Sequence, residues 1–167
     1  MSASDNLPAP RYLAKIATAE NALARIRELP RPIVLTNGVF DILHRGHVTY
    51  LDQARSLGAS LVVAVNSDAS VQRLGKAANR PLNPLADRMA VLAGLAAVDL
   101  VVPFDADTPR DLIVACMPDV LVKGADYTAA TTAGAAEVIA AGGRFVPIPF
   151  ATAHSTTALV EKIRRND

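Results

Sequence analysis

Two histidines three positions apart, His44 and His47, with Gly46 between them, are the residues of this chain best suited to do chemistry. They follow the β-branched run Ile33-Val34-Leu35 through Thr36-Asn37-Gly38-Val39-Phe40-Asp41-Ile42-Leu43, so a strand feeds a turn that opens a helix. On a helix, positions i and i+3 lie about 60° apart, which puts both imidazoles on one face of the first turn. The same turn carries backbone N–H groups without helical partners and the positive end of the helix dipole. Two imidazole donors above a helix N-terminus make a phosphate site. Gly46 and Gly38 remove side chains that would block close approach of a triphosphate, and Asp41 suits the N-cap of the helix. The turn holds neither G-x-G-x-x-G nor G-x-x-x-x-G-K-S/T, which argues against a nicotinamide dehydrogenase and a P-loop kinase.

Further groups lie downstream. Lys76 stands in the Gly- and Pro-bounded stretch Leu74–Pro84, where it is either an inert loop lysine or a cation that closes over phosphates. Arg88 follows Pro84 in an amphipathic segment, and Asp68 opens the segment after the run Leu61–Val65. Lys123-Gly124-Ala125-Asp126-Tyr127 follows the run Val120-Leu121-Val122 and reads as a turn that could also face a ligand. Ser155-Thr156-Thr157 precedes Leu159, Val160 and Ile163, which makes it an N-cap able to present N–H groups and hydroxyls to a phosphate. Cys116, the single cysteine, lies beside Ile113 and Met117 and reads as core.

Five apolar strand runs must position these groups: Ile33–Leu35, Leu61–Val65, Leu100–Val102, Val120–Val122 and Phe145–Ile148. They alternate with helical patterns over about 46–58, 68–75, 84–97, 108–116, 129–141 and 155–165. That order predicts a single doubly wound, Rossmann-like α/β domain with a five-stranded parallel sheet, its ligands outside the carboxyl ends of the strands. The periodicity of Tyr12, Leu13, Ile16, Leu23 and Ile26 predicts an accessory helix from Arg11 to Leu29. Residues 1–32 are therefore expected to form a tail and accessory helix, and 33–167 the main domain.

The 167 residues carry 17 Lys+Arg against 16 Asp+Glu and are 51% apolar, enough for one real core. A net charge of +1 offers no broad field for nucleic acid or an anionic membrane, so bound phosphates must be met locally. With one cysteine, no paired Cys/His spacing of a structural zinc site, no leader pattern and no apolar run long enough to span a bilayer, a soluble cytoplasmic protein is expected, and no metal-ligating residues are singled out.

Thr-Asn-Gly-x-Phe-Asp-x-Leu-His-x-Gly-His resembles the signature of the cytidylyltransferase-like nucleotidyltransferases. Asn66-Ser67-Asp68, Asn79–Pro84, Asp87-Arg88-Met89, Val98-Asp99, Lys123–Tyr127 and Ser155–Thr157 follow in that superfamily's order. Within it, the combination is most similar to the heptose 1-phosphate adenylyltransferases. Val39, Ala125, the order Gly75-Lys76 and His154 depart from the usual pattern. The resemblance implies that a sugar 1-phosphate attacks ATP, with His44, His47, Arg88 and Lys76 supplying a positive field. It also implies nucleotide contacts from Thr36, Asn37, Gly38, Phe40, Asp41, Gly46, Asn66, Asp68, Lys123, Gly124, Asp126, Ser155, Thr156 and Thr157. A Mg²⁺ ion held mainly by the phosphates and a homo-oligomeric assembly complete the expectation. Two alternatives stay open: a glycerol 3-phosphate cytidylyltransferase, whose usual tryptophans are lacking here, and a nucleotide-sensing module without turnover.

Overall fold

The computed structural model describes residues 7–75 and 80–149. Five parallel strands form one sheet: β1 (Ile33–Gly38), β2 (Ser60–Asn66), β3 (Leu100–Phe104), β4 (Val120–Gly124) and β5 (Arg144–Ile148). Their order is β3-β2-β1-β4-β5. The chain starts in the middle, runs out to one edge, and then crosses back past β1 to build the other half. The two halves diverge between β1 and β4, and this is where a doubly wound sheet opens a crevice.

β1, β2 and β4 are apolar on both faces because helices cover both. On one face α2 (Arg45–Arg55) and α4 (Leu85–Ala93) lay Tyr50, Leu51, Ala54, Met89 and Leu92 against Val34, Val63, Val65 and Val122. On the other, α1 (Ala22–Arg27), α5 (Arg110–Cys116) and α6 (Ala135–Ala140) lay Ile26, Ile113, Cys116 and Val138 against Leu35, Val62, Ala64 and Leu121. Cys116 is core, and burial pushes its thiol up to about 12. A short α3 (Asp68–Arg73) follows β2.

Two aspartates pin the amino ends of the strands. Asp99, just before β3, accepts from Leu61 N at 2.7 Å and pairs with Arg55 at 2.8 Å. Asp119, just before β4, accepts from Ile33 N at 2.5 Å and pairs with Arg31. These carboxylates set the register from the end remote from the crevice, leaving the carboxyl ends to bind.

The N-terminal segment differs from the expected single helix. A 3-10 turn, Arg11–Lys15, ends where Ile16 turns extended and bridges Val101 beside β3. Ala17 N then donates to Val101 O at 2.9 Å, so pairing with an exposed sheet edge wins over helix propagation. Thr18 and Asn21 exchange side-chain bonds in the turn that leads into α1. The remaining helices fall within or close to the expected spans but are shorter, and the expected 155–165 helix lies outside the described residues.

Ala17, Ala22 and Ile26 share one core with Ile33 and Leu35, so this segment is part of the sheet's packing. Ile26 is fully buried. Ile26→Ala should therefore lower unfolding free energy by about 2–5 kcal/mol in urea titration. A change below about 0.5 kcal/mol, the level of a surface substitution, would show that α1 is peripheral.

Candidate active site

The first turn of α2 is built from its two histidines. His44, in extended conformation, is the N-cap, and its Nδ1 accepts from Gly46 N at 3.1 Å. His47 sits at the third helical position and its Nδ1 accepts from His44 N at 3.4 Å. With Nδ1 accepting in both rings, each neutral imidazole carries its proton on Nε2 and is a donor there. The ring centroids are 4.1 Å apart. Burial, and then repulsion from His44, lowers His47 to about 4. His47 is thus a neutral donor at neutral pH, so any positive field there comes from the helix end and the basic side chains and not from this ring. The Gly46 N–H, expected to be open to phosphate, is taken by His44 in this state.

Asp41 does not cap α2, because the helix begins later and its carboxylate is taken elsewhere. It accepts from Leu82 N and Asn83 N at 2.9 Å and pairs with Arg80 at 2.6 Å. Burial alone would raise this carboxyl; the Asn83 and Leu82 N–H groups and the Arg80 guanidinium outweigh it and hold Asp41 below the usual range. Its function is to fold the 80–83 loop against the β1 turn. Gly38 also differs from expectation: a Cβ there would stand 3.0 Å from the Phe40 ring, so the space serves Phe40. Phe40 has φ of 49°, a costly conformation for a bulky residue, and its ring meets His47 edge-on at 5.6 Å between centroids.

Between the carboxyl ends of β1 and β4 lies a cleft of about 480 Å³. Asn37, Gly38, Phe40, His47 and Asn66 line it from one half, with Lys123, Gly124 and Asp126 from the other. Lys123 Nζ donates to Asn37 O at 3.2 Å across the switch point and lies 4.9 Å from the Tyr127 ring centroid. Other expected residues stand behind the wall. Thr36 is fully buried with its hydroxyl 2.7 Å from the Tyr50 hydroxyl, so it supports α2 instead of facing a ligand. Burial holds the Tyr50 hydroxyl protonated, far above its ordinary range. Asn66, itself part of the lining, is held by its Nδ2 donating to Ser70 Oγ at 3.0 Å. Lys76, Ser155, Thr156 and Thr157 lie outside the described residues.

Arg88 is the central support. Its side chain is 0% exposed, and it donates to Val39 O at 2.7 Å, Asn66 O at 2.8 Å, Asn83 O at 3.0 Å and Asp68 at 2.7 Å. One guanidinium thus joins the end of β1, the end of β2, the 80–83 loop and α3. Sequence reasoning passed over Tyr50, Thr108, Pro109, Thr131 and Thr132, all of which line the cleft. Asp107-Thr108-Pro109 lies in the loop that leaves the carboxyl end of β3, and the rule that ligands gather at strand carboxyl ends was the available signal.

A model of the family described as cytidylyltransferase-like matches residues 35–162. The chain belongs to that family. It is 56% identical over 157 residues to a D-beta-D-heptose 1-phosphate adenylyltransferase of Bordetella bronchiseptica, covering 93% of this chain and 97% of the relative. It is 51% identical over 161 residues to the bifunctional protein HldE of Nitrosococcus oceani, covering 94% of this chain but only 34% of that longer protein. Among solved structures, the lipopolysaccharide core biosynthesis protein of Thermoplasma volcanium aligns with a TM-score of 0.62 and 28% identity, over 72% of this chain and 98% of that one. This cytidylyltransferase-like chain therefore shares the doubly wound fold of that protein.

If Arg88 holds the cleft together, Arg88→Lys should fail to replace it, because one ammonium cannot reach four acceptors in diverging directions. The variant should lose roughly 2–4 kcal/mol in urea unfolding, the scale of breaking a buried charged network. Wild-type stability in Arg88→Lys would contradict the bracing role.

Proposed function

We propose that this chain transfers AMP from ATP to D-glycero-D-manno-heptose 1-phosphate, giving ADP-heptose and pyrophosphate for the lipopolysaccharide core. The observation that carries the reading is the 56% identity to a heptose 1-phosphate adenylyltransferase over nearly the whole of both chains. His47 in the lining of the switch-point cleft, with the His44 ring 4.1 Å from it, supports it chemically. A phosphate oxygen of the sugar 1-phosphate attacks the α-phosphorus of ATP in line, and the bond from that phosphorus to the bridging oxygen of pyrophosphate breaks. The nucleophile is already an anion, so no protein base or covalent intermediate is required. What the protein supplies is orientation and stabilisation of charge on the phosphoryl oxygens.

In this reading His44 and His47 donate from Nε2 to those oxygens. Being neutral, they donate without requiring a buried charge before the substrate arrives. Lys123 contributes positive charge beside β1, and Lys76 and Ser155–Thr157 add phosphate and nucleotide contacts. Arg88 acts through the positions of the segments it ties. Among the described residues no group of three or more His, Cys, Asp or Glu forms a metal cage. Asp41, Asp68 and Asp107 are engaged by Arg80, Arg88 and Arg73. That donor set fits a Mg²⁺ ion held by the phosphates and water, which neutralises the triphosphate when bound. No helix among the described residues is long and apolar enough to cross a membrane. The reading includes a cytoplasmic setting, suggested by the cysteine usage, and self-association.

Purified protein with Mg²⁺ and ATP or CTP, each paired with heptose 1-phosphate or glycerol 3-phosphate, should release pyrophosphate with ATP and the heptose. His47→Ala should lower kcat by roughly 10²–10³, as loss of one oxyanion donor does, with a smaller change in ATP affinity. Preference for CTP with glycerol 3-phosphate would reassign the enzyme, and no turnover in any pairing would favour a nucleotide sensor.

A further inference from the structure

Among the described residues, one buried side-chain oxygen or nitrogen has no hydrogen-bond partner: Oδ1 of Asn37. Native proteins keep few such atoms, and one in a cleft marks where a ligand's donor is awaited. Its orientation follows from the strand. Leu35 packs with Ile26, Ile113 and Val138 on the α1, α5 and α6 face, whereas Thr36 sends its hydroxyl to Tyr50 on the α2 face. Side chains alternate along a strand, so Asn37 lies on the α5 and α6 side, opposite the histidine-bearing helix.

The cleft wall on that side comes from Thr108 and Pro109 before α5, and from Thr131, Thr132 and Ala133 before α6. The nearby carboxylate Asp107 is held by Arg73 at 2.7 Å. The Thr131 and Thr132 hydroxyls of this wall donate to Thr128 O and keep lone pairs to accept, which suits the hydroxyls of a neutral polyhydroxylated ring, whereas the imidazole donors and Lys123 suit phosphates. Asn37 stands where the two regions meet, since its own carbonyl accepts from Lys123.

We propose that Asn37 Oδ1 accepts a hydrogen bond from a hydroxyl of the acceptor sugar, making Asn37 a specificity residue for the sugar and not a nucleotide contact. This rests on the sugar 1-phosphate reading above. The ATP ribose offers the same chemistry, so the test must separate the two sources. Asn37→Leu is close to isosteric and removes the acceptor. Steady-state kinetics would compare it with wild type using heptose 1-phosphate, its singly deoxygenated analogues, 2′-deoxyATP and 3′-deoxyATP.

The expected result is a roughly 10- to 100-fold lower kcat/KM for the sugar, with the KM for ATP within about twofold. One deoxy-sugar should cost wild type a similar factor and cost the variant nothing further. The melting temperature of Asn37→Leu should match or exceed wild type, because an unpaired buried acceptor has been removed. A raised KM for ATP with lost discrimination against a deoxyATP would overturn the proposal in favour of the ribose. Unchanged kinetics, or a lowered melting temperature with equal losses for both substrates, would overturn it as well. Wild type that turns over no sugar 1-phosphate would instead overturn the reading on which the proposal rests.

Discussion

The architecture of the cleft depends on one buried guanidinium. Burying a charge is expensive unless every polar neighbour answers it, and Arg88 meets that condition with three carbonyls and the Asp68 carboxylate. The acceptors belong to three stretches of the chain: Val39 after β1, Asn66 and Asp68 across the junction of β2 and α3, and Asn83 before α4. None of these loops could drift without leaving part of the guanidinium unpaired in a dry interior. The Asp41 carboxylate repeats the device on the neighbouring loop, gathering Arg80, Leu82 and Asn83. Together they convert irregular backbone, which is usually the soft part of a sheet protein, into a fixed rim.

Against that rim the histidine turn is self-organised. Each ring accepts a backbone N–H at Nδ1, so the helix's own unsatisfied donors choose the tautomer that donates from Nε2. The Phe40 ring against His47, and Tyr50 bonded to Thr36, seat the turn on the core. Phosphoryl transfer gains most from donors fixed in advance, because reorganisation is then not part of the barrier. A neutral pair is also compatible with a half-buried site before any phosphate arrives, whereas two adjacent imidazolium ions are not.

Much of this was legible in the sequence. The alternation of short apolar runs with helical patterns specified five parallel strands, and the histidine spacing located the first turn of α2. Position at strand ends also brought out Asn37, Lys123 and Asp126. What sequence could not separate was facing a ligand from supporting a residue that does. Thr36, Asp41 and Arg88 carry the right chemistry, yet their partners come from residues up to 49 positions away, and partner choice decides which role each takes. The N-terminal segment departs from its helical pattern for a similar reason. Its helical periodicity is real, but the open edge of β3 offers Ile16 and Ala17 hydrogen bonds that a local pattern does not reveal.

The most direct test of a cleft organised before substrate binds is ¹⁵N-resolved NMR of the two imidazoles in the free protein. Both His44 and His47 should be in the Nε2-protonated tautomer at neutral pH, and His47 should titrate near 4, well below the ordinary histidine value of about 6.5. Rings that exchange between tautomers, or a His47 that titrates at the ordinary value, would contradict an account in which backbone donors and burial set the pair in advance.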